Sequence, residues 1–220
     1  MKSLVISPHP DDEVLGAGGT LFKRKKTDKS NQIFWVIVTK LKKDLGDKLL
    51  KTRAKEIARV SKLFGFKKVF QLDFNTTELD SSSKKKLITN FSYIFNQVKP
   101  SELFVPHFSD VHSDHKIVSE VISTCTKNFR FPFIKKILAY EVISETDYNL
   151  DRKKIFFPNY YEDISKYLSK KKQAMKIYKS EIKKFPFPRS LVTIDALAKF
   201  RGSQIGKSAA ESFEILREIN

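Results

Sequence analysis

The sequence has a single cysteine, Cys125, among 220 residues, so no intrachain disulfide can form. A lone thiol suits a reducing compartment, and the cytoplasm is the expected location. Long apolar runs are missing too. The longest strongly apolar stretch, residues 33–38, is far short of the roughly twenty residues that span a bilayer. No transmembrane segment is therefore expected. No secretory leader is expected either, because residues 4–6 form only a short apolar run before a polar loop. Glycine is scarce, at seven residues, and G-x-G-x-x-G is absent, which excludes the dinucleotide fingerprint. There is no internal repeat and no low-complexity segment beyond lysine clusters.

What is abundant is positive charge, a formal net +17. The lysine-rich clusters at 23–26, 40–43, 84–86 and 170–172 lack the arginine–aromatic interleaving of a nucleic-acid groove. They read as solvated faces, and no nucleic-acid partner is expected. The excess charge would suit an anionic small molecule. Hydrophobic residues make up 40% and charged residues 30%, an ordinary globular composition for a chain long enough to bury a core.

Short apolar runs alternate with amphipathic segments through the first two-thirds of the chain, the pattern of βαβ units and a parallel sheet. Strands are expected at 3–7, 32–39, 68–72, 102–106 and 136–142, and helices at 14–26, 48–64, 83–98 and 116–127. Gly65 stops the second helix. Residues 81–83 can cap the third, which Pro100 follows, and Ser113 or Asp114 can cap the fourth. The expectation is one α/β domain over 1–220: a Rossmann-like, mostly parallel sheet flanked by helices over 1–150, and a C-terminal helical part over 151–220 completing the site. In that last part, 156–158 read as an extended linker, 164–185 as a long lysine-rich helix, and 191–200 and 208–217 as shorter helices.

Histidine is the rare residue that matters. Three of the four, His9, His112 and His115, sit with aspartates in two tight clusters, Pro8-His9-Pro10-Asp11-Asp12-Glu13 and His112-Ser113-Asp114-His115. Imidazole and carboxylate are the ligands of catalytic zinc. The first cluster follows the first expected strand and the second follows the fourth, so both fall on the carboxyl edge of the sheet, where such folds bind ligands. One cluster alone could be a helix cap or polar loop. Two at strand ends point to one metal, for which the donors suffice. His107 reads as a structural histidine, Cys125 as inert core, and Glu13 equally as a brace for a ligand or a helix N-terminal charge. Gly16, Gly18 and Gly19 would let the first helix start close to the metal loop.

The run S-P-H-P-D-D-E-V-L-G-A-G-G from Ser7 to Gly19 resembles the signature of the N-acetylglucosaminylphosphatidylinositol de-N-acetylase-like (LmbE-like) family. D-V-H-S-D-H from Asp110 to His115 resembles that family's downstream metal motif. The likeness extends to Arg53 with Glu56, Tyr140-Glu141, Pro188-Arg189-Ser190, Arg201-Gly202 and Ala210-Glu211-Ser212-Phe213, and so covers most of the chain. It implies a hydrolase that removes acetyl from an N-acetylated amino sugar. His9, Asp12 and His115 would hold zinc, with iron(II) as the other cation such a set accepts, and Asp11 would be the general base. His112, oriented by Asp114, would be the electrophile or general acid. Those roles make chemical sense: a carboxylate can take a proton from attacking water, and the oxyanion and departing amine each need a donor. Arg53, Asp73, Arg130 and Arg189 are candidate substrate contacts, although a salt bridge on its own charged helix is an equal reading of Arg53. The expected partner is an amino-sugar conjugate, with phosphorylation of its carrier suggested by the basic charge. A homo-oligomer is compatible with the family, but no seam is legible. The rival readings are a metal-dependent amidase or phosphoesterase of another substrate class, and a basic nucleic-acid-binding module.

Overall fold

Side chains two apart along the central strands share a face, and here both faces are buried. Leu4, Ile6, Phe34, Val36 and Val38 enter one core, while Val5, Ile33, Trp35 and Ile37 enter the other. The structure, a computed structural model, describes residues 1–80, 84–151 and 153–220. In chain order the elements are β1 (Lys2–Ser7), α1 (Asp12–Thr27), β2 (Gln32–Lys40), α2 (Asp47–Phe64), β3 (Lys68–Asn75), α3 (Lys84–Val98) and β4 (Glu102–Pro106). They continue with α4 (Ser113–Cys125), β5 (Lys136–Tyr140), β6 (Tyr160–Asp163), α5 (Leu168–Met175), α6 (Leu191–Ser203) and β7 (Ala210–Glu218). The strands form one sheet in the order β3-β2-β1-β4-β5-β7-β6. β1 to β5 are parallel, while β7 runs antiparallel to both β5 and β6.

Apolar residues of α3 and α4, among them Phe91, Phe95, Val118 and Ile122, fill the core on one face of the sheet. Residues of α1, α2, α5 and α6 cover the other face. Cys125 lies buried in the α4 layer, as an inert core residue should. The expected cap at residues 81–83 lies outside the described residues.

Two glycines let α1 approach closely. A Cβ at Gly16 would lie 2.2 Å from the ring of Tyr140, and one at Gly19 would lie 2.7 Å from Ile164. Gly18 is not constrained in this way, since its nearest neighbour would be 3.4 Å away. The buried Lys171–Glu211 ion pair also grips α1: Glu211 accepts from the amides of Gly19 and Thr20, and Lys171 donates to the carbonyl of Leu15.

The C-terminal third departs from expectation. Residues 208–217 were expected to be helical, and they do include good helix formers such as Ala209, Ala210, Glu211 and Leu216. Residues 210–217 instead lie in β7, filling the slot between β5 and β6, so ladder pairing overrides propensity. The long helix expected over 164–185 is helical only from Leu168 to Met175. The chain then turns so that buried Tyr178 can donate to Glu13, 2.6 Å away. Residues 156–158 lead extended into β6, as expected, and of the three helices expected in this part α6 alone keeps its character. No described helix is long and apolar enough to cross a membrane.

Candidate metal centre

β1 pairs with β2 on one side and β4 on the other, so the crevice beyond the carboxyl ends of β1 and β4 is the switch point of the sheet. Pro8 and Pro10 cannot donate to a ladder, and the chain leaves the sheet as His9 and Asp11 turn into α1. Opposite them, α4 starts behind β4 with His112 as its N-cap; the ring Nδ1 accepts from the amide of Asp114, 3.1 Å away. The expected caps, Ser113 and Asp114, are instead the first two residues of the helix.

His9, Asp12 and His115 converge. His115 Nε2 lies 3.2 Å from His9 Nδ1 and 3.4 Å from Asp12 Oδ2, and His9 Nδ1 lies 3.7 Å from Asp12 Oδ2. A tetrahedral ion with bonds of about 2.0–2.1 Å sets its ligands about 3.3–3.4 Å apart. The three donors therefore have the spacing of one face of such a shell. Both imidazoles are held from behind: His9 Nε2 is 2.9 Å from Asp114 Oδ2, and His115 Nδ1 is 2.7 Å from Asp110 Oδ2. Carboxylates in those positions fix the ring and raise its basicity toward a metal. The electrostatics agree with the spacing. Burial opposes charge on His115, yet Asp12 and Asp110 push its pKa up to about 10. Asp12 is held far below the usual carboxylate range by His115 and His9, against its own burial. A positive charge is thus favoured where the three donors meet, and the residues present fit a divalent cation.

His9, His112 and Asp114 also cluster within ligand range. There Asp114 is better explained as support, since it accepts from His9 and from the amide of Thr77, 2.8 Å away. This corrects one expectation: the Asp114 carboxylate orients His9, and it is the Asp114 backbone amide that meets His112. Burial, with His9 and His115 close by, lowers the pKa of His112 to about 4, so this ring is neutral at pH 7.

Asp11 is buried, with φ 127°, a conformation that costs a residue with a Cβ about 1–3 kcal/mol. Burial pushes its proton affinity up, and the Arg189 guanidinium, 3.1 Å from Oδ2, pulls it down. Its amide donates to Glu13 Oε2 at 3.0 Å. Glu13 thus braces the loop from within rather than serving only the helix terminus, and burial lifts its pKa to about 8.

The cavity in front of these groups measures about 190 Å³ and is lined in part by His9, Asp11, His112, Arg53, Glu181 and Arg189. A larger hollow of about 580 Å³ between α4 and β7 is lined by Lys116, Ser119, Glu120 and Arg217 and contains none of the histidines. The four expected substrate contacts divide. Arg53 and Arg189 line the cavity, although Arg53 is also ion-paired with Glu56 and Glu181. Asp73 does not line it; its exposed side chain pairs with Lys40. Arg130 is exposed in the loop before β5, on the opposite edge of the sheet. His107 is structural, bonded to Ser109 and Glu214. Sequence reasoning missed Glu181 and Glu145, which hold Arg189; Glu181 lies in a lysine-rich run without motif signal. Asp110 stood in the quoted motif, but its spacing from His115 gave no sign of its role.

A family model for GlcNAc-PI de-N-acetylase (PIG-L) matches residues 4–126, more than half of the chain. The chain belongs to the PIG-L family. A relative within reach of sequence comparison is the diacetylchitobiose deacetylase of Thermococcus kodakarensis, 25% identical over 234 residues, covering 99% of this chain and 84% of that protein. The N,N'-diacetylchitobiose deacetylase from Pyrococcus horikoshii superposes with a TM-score of 0.75 at 24% identity, over 98% of this chain and 84% of that one. A 4-carboxy-2-hydroxymuconate hydratase from Pseudomonas putida has the same fold at TM-score 0.74 and 15% identity, with 100% and 98% covered. The PIG-L fold therefore does not by itself name a reaction, and the site must.

Proposed function

We propose that this chain hydrolyses the acetamide of an N-acetylated amino-sugar conjugate, N-acetylglucosamine-like, releasing acetate and a free amine. The observation that carries the reading is the meeting of His9, Asp12 and His115 at ligand spacing, with Asp11 and His112 facing the same cavity. Family membership and the named activity of the Thermococcus relative support the same bond. His9, Asp12 and His115 would hold the ion, zinc with iron(II) as the alternative. When bound, such an ion supplies Lewis acidity toward the water nucleophile and the acyl oxygen.

The remaining steps belong to side chains. Asp11, whose proton affinity burial raises and the Arg189 guanidinium only partly offsets, would take a proton from water as the water oxygen bonds to the acyl carbon. His112 accepts the Asp114 amide at Nδ1, so its neutral tautomer carries the proton on Nε2 and can donate to the oxyanion. Its low proton affinity favours this electrophilic role over that of a protonated acid. The C–N bond then breaks, and the proton held by Asp11 passes to the departing nitrogen. Arg53 and Arg189 are the substrate contacts retained from the sequence reading, with a phosphorylated carrier as the anionic portion they could meet. The chain would act as a single domain, in the cytoplasm, with segments after β5 completing the cavity wall.

The test is a panel of N-acetyl sugars incubated with metal-reconstituted protein, assaying acetate and primary amine together. Stoichiometric release that is lost in Asp11→Asn is expected. Phosphate release without acetate, or hydrolysis untouched by Asp11→Asn, would overturn the reading.

A further inference from the structure

Asp11 holds a backbone conformation that residues with a Cβ avoid; Glu13 braces its amide from within, and further contacts reach the loop from outside. Two arginines grip the Pro10–Asp11 unit from different parts of the chain. Arg53, from α2, donates through Nη1 to the carbonyl of Pro10 at 3.0 Å. Arg189, just before α6, donates through Nη1 to Asp11 Oδ2 at 3.1 Å. One carboxylate joins them: Glu181 accepts from Arg53 Nη2 through Oε1 and from Arg189 Nη1 through Oε2, the latter at 3.2 Å. Ser180 adds a bond to each side of this bridge, accepting from Arg53 and donating to Glu181. Without Glu181, two guanidinium groups would face each other across a cavity wall with less to offset their repulsion.

We infer that Glu181 is a positioning residue, tying Arg53 and Arg189 into one clamp that holds the Pro10–Asp11 peptide and aims the Asp11 carboxylate. The inference rests on the proposed role of Asp11 as base. Glu181 needs no contact with substrate for this, and its side chain is partly exposed, so its removal should leave the core intact. A misaimed base loses rate rather than binding, because a displacement of about 1 Å can cost up to about a hundredfold in turnover.

The experiment compares wild type with Glu181→Ala and Glu181→Asp, each metal-loaded, on N,N'-diacetylchitobiose, together with crystal structures of wild type and Glu181→Ala. We expect Glu181→Ala to lose about tenfold or more in kcat, with KM within about threefold and metal content unchanged. Glu181→Asp, which keeps the charge, should recover part of the loss. In the Glu181→Ala crystal, Asp11 should leave its positive φ or break from Arg189. Unchanged kcat, a rise in KM alone, or an Asp11 conformation identical in both crystals would overturn the clamp. If wild type releases no acetate, the deacetylase reading fails, and the two crystal structures still decide whether Glu181 holds the loop.

Discussion

The Asp114 carboxylate lies 2.9 Å from Nε2 of His9, so the first turn of α4 orients the proposed ligand supplied by the loop after β1. Metal affinity is therefore expected to depend on Asp114 although it is not itself one of the three converging donors. Asp114→Asn should weaken zinc binding by about 10–100-fold, as loss of an outer carboxylate usually does. His112→Ala should leave affinity nearly unchanged and lower kcat instead. Competition against a chromogenic chelator, paired with steady-state kinetics, separates the two. Equal affinity losses in both variants would contradict the assignment.

Chelation should abolish hydrolysis and lower thermal stability together. An ion that binds only the folded chain adds about 2.7 kcal/mol at one hundred times its Kd. The three donors come from β1–α1 and α4, so the effect should appear as a shift of the whole unfolding transition. Scanning calorimetry of apo and zinc-loaded protein measures it, and a Tm indifferent to zinc would count against the site.

Gly16→Ala and Gly18→Ala should behave oppositely. At Gly16 the added methyl would meet the Tyr140 ring at 2.2 Å, and overpacking of that kind costs about 1–3 kcal/mol. At Gly18 the nearest atom is 3.4 Å away, and replacing a helical glycine can add up to about 1 kcal/mol. Urea unfolding of both variants gives the comparison. A destabilised Gly18→Ala beside a neutral Gly16→Ala would show that α1 packs differently.

Substrate contacts should divide as the cavity does. Arg130→Ala and Asp73→Ala, which alter side chains outside the lining, should keep kcat/KM within about twofold, whereas Arg189→Ala should lower it by at least about tenfold through loss of the Asp11 partner. Parallel kinetics on one N-acetyl sugar suffice, and a large defect in Arg130→Ala would place the binding surface elsewhere.

Cys125 should be silent in the folded protein. Burial pushes its thiol up to about 11, so little thiolate exists at pH 8 and access is blocked as well. Iodoacetamide should label it slowly under native conditions and quickly in urea, as read by mass spectrometry. Equal rates would mean that the α4 layer opens freely.

Much of this protein was legible in one dimension. Short apolar runs marked the five parallel strands, and in the central ones the runs are continuous because both faces are buried. The rarity of histidine, gathered beside aspartates after the first and fourth strands, marked the two clusters as a metal site, and the family resemblance implied His9, Asp12 and His115 as the ligands within them. Two kinds of fact were out of reach. The strand at Ala210–Glu218 has helix-forming residues and becomes a strand only because β5 offers a free edge. The partners of the reactive groups, Asp114 on His9, Asp110 on His115 and Glu181 between Arg53 and Arg189, depend on which side chains meet across the folded crevice. Residue type and spacing record what a group can do chemically; hydrogen bonds a few ångströms long, formed between segments distant in the chain, determine which partner it does it with.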